Sequence, residues 1–234
     1  MIVASIQARL GSKRLPGKAL ADICGAPALT RLLRRLRRAK TLDDIILATP
    51  DEKLADWAFD EKLPAFVGSE DDVLDRLVGA HRWMKTDIVV QVWGDSPLID
   101  PEVVDIAVET FKMNLPDVVT NTRKPGFPEG VGVSVFRREK LEEIARLTTT
   151  PTYREHAGLY FYDHPYRVIH LAPPPCWHRP DVRLLLDYPE DLEFIRQLYK
   201  RAWFWYGDDF GLDKILRVIN DFPELLAINR MHAK

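Results

Sequence analysis

Cysteine is scarce in this chain: Cys24 and Cys176 lie far apart, and neither belongs to a Cys-x-x-Cys pair. That excludes a disulfide framework and argues against a thiolate zinc site, leaving two residues expected to be small, buried or neutral. Long apolar runs are missing too; no stretch approaches the ~20 consecutive non-polar residues of a bilayer-spanning helix. Met1 leads into a strand-like run rather than a signal peptide, so a cytoplasmic protein with no membrane partner is expected. Net charge is nearly lacking, at -2, which leaves no global sign of nucleic-acid binding and makes any anion site local. We find no internal repeat, low-complexity tract or obvious linker.

What the chain does have is apolar residues in quantity. They make up 46% of 234 residues, enough for the core of one α/β domain or one domain with an appendage. The most informative stretch comes first. Residues 2–6 read as a short buried strand, which breaks into a loop carrying Arg9, Lys13, Arg14 and Lys18 around Gly11 and Gly17. Four cations in one short loop need an anionic partner. Glycine lets successive backbone N–H groups face one concavity, and a following helix N-terminus adds positive potential, so the loop is a plausible triphosphate cradle. A solvated surface loop is the plain alternative.

A helix is predicted over residues 27–40, with Leu29, Leu32, Leu33, Leu36 and Ala39 on one side and Arg31, Arg34, Arg35 and Arg38 on the other. The arginine stripe reads as a solvated or dimer-facing surface rather than a nucleic-acid site, because no aromatic residues interleave with it. Residues 44–49 form a second strand, 51–60 a short helix and 65–67 a third strand; an acidic turn from Gly68 then caps a helix to about Met84. Residues 87–92 are the most convincing central strand, being β-branched and almost continuously apolar. Asp95 follows it directly after Gly94, at a position where open α/β sheets bind ligands and where a metal could be held. Asp100 is the structural aspartate, the expected N-cap of a helix over 101–112.

Residues 117–120 are a further strand, leading through a Pro/Gly-rich segment, 121–130, to an alternating strand over 131–136. That segment suits an acceptor-binding loop or an ordinary hairpin connection. Residues 148–165 are predicted as one helix, 166–171 as a strand and 173–180 as irregular. A last strand over 182–186 ends at Asp187, and a helix starts at Tyr188-Pro189 with acids beside it. The C-terminal piece is aromatic at 203–206, helical at about 212–220, and reads as packing over the core or across a dimer. Strand and helix alternate as in a mostly parallel sheet with helices on both faces. Such sheets bring strand C-termini to one rim, so the basic loop, Asp95 and Asp187 could converge there. Cations and carboxylates together suit a polyphosphate with Mg²⁺.

Five motifs, in order, carry a family resemblance. Ala8-Arg9-Leu10-Gly11-Ser12-Lys13-Arg14-Leu15-Pro16-Gly17-Lys18, Gly68-Ser69-Glu70-Asp71-Asp72-Val73-Leu74-Asp75-Arg76, Gly94-Asp95-Ser96-Pro97-Leu98-Ile99-Asp100-Pro101, Arg154-Glu155-His156 and Leu186-Asp187-Tyr188-Pro189-Glu190-Asp191-Leu192 resemble cytidylyltransferases of the CMP-sugar-acid synthetase type. The likeness is strongest to the spore coat polysaccharide biosynthesis protein F subfamily and spans most of residues 2–195. It implies a nucleotide-diphospho-sugar-transferase-like, Rossmann-like α/β fold with a mixed, mostly parallel sheet, a homodimer, and transfer of CMP from CTP to a small acceptor with release of pyrophosphate. Carried over by motif, Ala8, Arg9, Leu10, Gly11, Ser12, Arg14 and Lys18 would bind the nucleotide, with Arg9 and Lys18 on the triphosphate, and Arg76 would lie near the base. Asp95 and Asp187 would coordinate Mg²⁺, Arg9, Lys18 and Asp95 forming the catalytic set. Gln91, Glu129, Gly130, Arg154, Glu155 and His156 would face the acceptor, a sugar acid or phosphorylated alcohol, and residues 121–181 would supply dimerisation and acceptor binding. His156 is read as an acceptor contact or a structural residue ahead of a general base.

Two departures concern the acceptor. Spore coat relatives carry an acidic residue two places after the Gly of the Pro-x-Gly segment and another two places on, where this chain has Gly132 and Ser134. We therefore expect an acceptor that is smaller or less positively charged. Pro50 also follows Ala48-Thr49 where a polar residue is expected, which weakens any base contact there. A nucleotide-sugar glycosyltransferase is a second reading, but Gly94-Asp95-Ser96 is not the DxD motif such enzymes use to hold metal. A catalytically silent binding protein is a third, opposed by the retention of Arg9, Lys18, Asp95 and Asp187.

Overall fold

The computed structural model describes residues 1–124 and 126–233. Its centre is a seven-stranded sheet of β1 (Ile2–Gln7), β2 (Asp44–Thr49), β3 (Ala65–Val67), β4 (Ile88–Trp93), β5 (Val118–Thr120), β6 (Ser134–Arg137) and β7 (Val168–His170), in the order β3-β2-β1-β4-β6-β5-β7. β1 pairs in parallel with β2 and β4, and β2 with β3, whereas β6 runs antiparallel to both neighbours and β5 and β7 are parallel. The sheet is therefore mixed and mostly parallel. Successive side chains of a strand point to opposite faces, so Ala4 and Ile6 of β1 pack into one core and Val3 into another.

Helices cover both faces. On one lie α1 (Ala28–Leu36), α4 (Pro101–Asn114), α8 (Pro189–Tyr206) and α9 (Leu212–Asp221), which supply Leu32, Val104, Phe194 and Ile215 to the larger core. On the other, α3 (Val73–Trp83), α5 (Arg138–Leu147) and the short α7 (Leu159–Asp163) bring Leu77, Ile144 and Phe161 against Val89, Val118 and Phe136. α2 (Glu52–Asp60) flanks β2 and β3, and α6 (Pro151–Glu155) flanks α3. No described helix is long and apolar enough to cross a membrane. Asp100 does cap α4, accepting from Glu102 N at 2.8 Å and Val103 N at 3.3 Å.

Five expectations are corrected. Residues 182–186 are no sheet strand: one parallel bridge joins Arg183 to Glu129, and the segment runs past the sheet's rim. The helix expected over 148–165 is two short ones, broken at 156–158 where Ala157 turns inward to full burial and Gly158 sits at the start of α7. The arginine stripe is not uniformly solvated. Arg31 and Arg35 are 7% and 4% exposed, their guanidinium groups bonded to the carbonyls of Ile23, Cys24, Ile99 and Phe210, while Arg34 and Arg38 remain outside. Both cysteines, expected buried or neutral, are exposed. The expected strand over 131–136 starts only at Ser134, since the Asn121 carboxamide bonds Val131 O and Val133 N in place of a ladder.

Candidate active site

The site forms at the carboxyl ends of β1 and β4. These ends close to contact: a Cβ on Gly94 would sit 2.7 Å from the Ala8 Cβ and 3.0 Å from the Gln7 carbonyl oxygen, so only glycine lets the chain leading to Asp95 lie against the basic loop. The loop is pinned by its own backbone. Leu10 N donates to Asp51 Oδ2 at 2.8 Å, Ser12 N and Gly17 N both donate to Leu10 O, and Gly17, at φ 71°, turns the chain into a 3-10 turn from Lys18 to Leu20. Lys18 is thereby brought back beneath its own loop.

Its ammonium joins the two aspartates. Lys18 Nζ donates to Asp95 Oδ2 at 2.9 Å and to Asp187 Oδ1 at 2.6 Å, and Arg14 donates to Asp187 Oδ2 at 2.6 Å. Burial alone would raise the Asp187 carboxyl, but hydrogen bonds and charge from Lys18 and Arg14 outweigh it and hold the group below the usual carboxylate range. Asp95 Oδ1 is buried and has no hydrogen-bond partner. A pair of carboxylates already spanned by a cationic group, one with an orphaned oxygen, fits a divalent cation shared with substrate phosphates. Among the described residues no cluster of three or more potential metal ligands exists, so an all-protein cage is not built here.

Behind Asp187 lies a buried scaffold. Asp191, 0% exposed, accepts from the Asp187 and Tyr188 backbone N–H groups, from Asn229, and from both Nε and NH2 of Arg183. Burial raises its carboxyl, and the bonds from Arg183 and Asn229 overcome that and lower it. Arg183 also reaches Glu129 Oε2 at 2.8 Å and lies 3.6 Å from Asp187 Oδ2. Gly130 permits the close approach of the 182–185 segment, since a Cβ there would be 2.5 Å from Leu184 C and Leu185 N.

A cavity of about 770 Å³ opens over this arrangement. Ala8, Arg9, Gly11, Ser12, Arg14, Lys18, Arg76, Asp95 and Asp187 line it, together with Glu155 and His156. Leu10 does not; its contribution is the backbone bond to Asp51. Arg76 is 3% exposed and holds the Ser69 carbonyl, and its guanidinium is pushed below its ordinary value by burial and by Arg9. On the far side of Asp95 a second cavity, about 380 Å³, takes in Glu129 and Gly130; a third, about 330 Å³, takes in Gln91, Glu155 and His156. Trp93 borders all three. Arg154 lines none of them. Its guanidinium is spent on Asp72, the N-cap of α3, and on the Ala145 carbonyl, which makes it a tie between α6, α3 and α5 rather than a wall of the acceptor cavities.

Sequence reasoning did not single out Trp93, Arg183 or Asp191 for the site. Asp191 was visible as an acid in the first turn of α8, a place where capping accounts for it; Arg183 had no signal, because no local pattern shows that it joins Asp191 to Glu129, 54 positions away.

The chain belongs to the cytidylyltransferase family, whose characteristic pattern it matches over residues 3–215. It is a nucleotidyltransferase, and its relatives place it more finely. It is 32% identical to spore coat polysaccharide biosynthesis protein SpsF of Bacillus subtilis over 236 residues, 95% of each chain. Among solved structures, a cytidylyltransferase from Leptospira borgpetersenii superposes with a TM-score of 0.90 at 26% identity, covering 96% of both chains. A CMP:2-keto-3-deoxy-manno-octonic acid synthetase complexed with CTP shares the fold at a TM-score of 0.68 and 23% identity, over 86% of this chain and 98% of the other.

Proposed function

We propose that this enzyme transfers CMP from CTP to a sugar acid or related small acceptor, releasing pyrophosphate, in surface polysaccharide or glycoconjugate biosynthesis. The observation that carries the reading is the Lys18–Asp95–Asp187 cluster on the floor of a cavity walled by Arg9, Arg14 and Arg76. Arg9 and Lys18 offset the negative charge that gathers on the departing pyrophosphate, and the pinned loop holds them in place before substrate arrives. Arg76, fixed by Ser69, borders the nucleotide side.

Asp95 and Asp187 would hold Mg²⁺, which when bound supplies positive charge at the phosphates and lowers the pKa of an attacking hydroxyl. Asp187 is suited to this because Asp191 fixes its backbone N–H and its carboxyl stays ionised. Gln91, Glu155, His156, Glu129 and Gly130 lie on cavities that reach Asp95 or Trp93, and there they orient the acceptor's oxygen toward the α-phosphorus. The homodimer joins through residues 121–181, and the protein works in the cytoplasm.

Pyrophosphate release with each of the four NTPs and Mg²⁺, over a panel of sugar acids and phosphorylated alcohols, tests the reading. CTP should be preferred and release should require both acceptor and metal. Equal use of all NTPs, or sugar transfer from a nucleotide sugar with no pyrophosphate release, would refute it.

A further inference from the structure

The two cavities on the acceptor side differ in chemistry. The third, about 330 Å³, is polar, with Gln91, Ser134 and His156 in its wall, and Gln91 Oε1 is a buried acceptor without a partner. The second, about 380 Å³, is walled by Trp93, Phe127, Pro128, Pro180, Val182 and Leu185. Two polar groups in that wall are already engaged, Glu129 being held by Arg183 and both ends of the Asn121 carboxamide being bonded to backbone, while Asp95, with its unpartnered Oδ1, also borders it. A substrate hydroxyl placed against the apolar side chains would give up water for little in return.

Arg123 and Lys124 border the apolar chamber, and Arg123 and Trp93 also border the polar one. Among the described residues neither cation pairs with a carboxylate; the Arg123 guanidinium instead lies 4.4 Å from the Tyr162 ring centroid. Gly132 contributes to the same wall. A Cβ there would meet Thr122 Cγ2 at 2.9 Å and the Trp93 ring at 3.3 Å, so this part of the wall has neither charge nor room for a side chain while Thr122 and Trp93 stay put.

We propose that the acceptor is an anion bearing a non-polar substituent. Its negative group rests on Arg123 and Lys124, its hydroxyls enter the polar chamber, and the substituent fills the apolar chamber beside Trp93. This rests on the cytidylyltransferase reading only for the word acceptor; the chamber's preference for an apolar anion can be measured without nucleotide. A cavity of this size, mostly apolar with a few charged groups at its edge, selects by shape and burial. One methylene group in such a pocket is worth about tenfold or more in discrimination.

The test uses two monoanions of similar size, cyclohexanecarboxylate and gluconate, titrated into the intact protein by ligand-observed NMR. Cyclohexanecarboxylate should bind at least about tenfold more tightly. Leu185→Ser should weaken cyclohexanecarboxylate severalfold and leave gluconate unchanged, whereas Arg123→Gln should weaken both. If gluconate binds as tightly, if neither binds, or if a folded Leu185→Ser protein keeps the wild-type preference, the proposal is overturned. Should Leu185→Ser not fold, the wild-type comparison still decides. A protein that shows the preference yet gives no pyrophosphate from CTP with any acceptor would keep the chamber and lose the enzymatic reading.

Discussion

Two stretches of this chain are dense in cations, the loop from Arg9 to Lys18 and the helix face from Arg31 to Arg38, and they are used in opposite ways. In the loop, Lys18 and Arg14 meet carboxylates beneath an open cavity. On α1, Arg31 and Arg35 are buried and bond backbone carbonyls of the 22–26 turn and of the segments at Ile99 and Phe210, Arg31 reaching the Tyr199 hydroxyl and Asp208 as well. Arg35 tolerates this at a cost, since burial pushes its guanidinium down to about 10 against the pull of Asp100. The lesson is that a cation's role follows its partners: several bonds to fixed backbone carbonyls make it a structural tie, and carboxylates beneath a large open cavity leave it available to a ligand.

The sharpest way to break this contrast is to remove one residue from each side. Asp187→Asn and Lys18→Ala should each reduce the rate of pyrophosphate release, measured on the folded protein, by about 10²–10³, the scale seen when a charge-stabilising group is lost. A small loss of rate would put the loop in the structural class. The converse is Arg35→Met, which leaves the Ile99 and Phe210 carbonyls without that donor and removes the cation 3.9 Å from buried Asp100; it should destabilise the fold by about 3 kcal/mol in urea titration and leave the rate of the folded fraction within about twofold. A stability change near zero would mean that the buried arginine is not a tie.

Acid titration separates the regions further. The folded Asp187 carboxyl sits below its unfolded value, so its contribution is complete above about pH 4 and is lost as pH falls through the folded value. Wild type should therefore lose more stability than Asp187→Asn over that acid range, as followed by thermal melts; identical acid curves would contradict the Lys18–Asp187 bond. The smallest effect belongs to Arg34, exposed on the same helix as Arg35: Arg34→Ala should stay within about 0.5 kcal/mol of wild type and leave the rate unchanged.

Local pattern carried much of the architecture. The β1, β2, β3 and β4 segments are short apolar runs bounded by turn residues, and α4 has Asp100 and Pro101 at its start, so period and punctuation suffice. Where the chain's partners are remote, pattern failed. Residues 182–186 look like a strand because they alternate into the core, yet they bond the 129 and 95 backbones at the rim and not a sheet neighbour. The break at 156–158 depends on Ala157 turning inward, which helical periodicity does not report.

By itself the sequence determined the alternation of strand and helix, the basic glycine loop and the carboxylates beyond two apolar runs, because each is written in adjacent residues. Tertiary structure alone decided that Lys18 spans Asp95 and Asp187, that Arg31 and Arg35 face inward while Arg34 does not, and that Arg183 and Asp191 stand behind the site. These contacts join residues far apart in sequence, 175 positions in the bond from Arg35 to Phe210. A charged side chain has no preferred partner until folding brings one within hydrogen-bond distance and removes the water that would otherwise satisfy it.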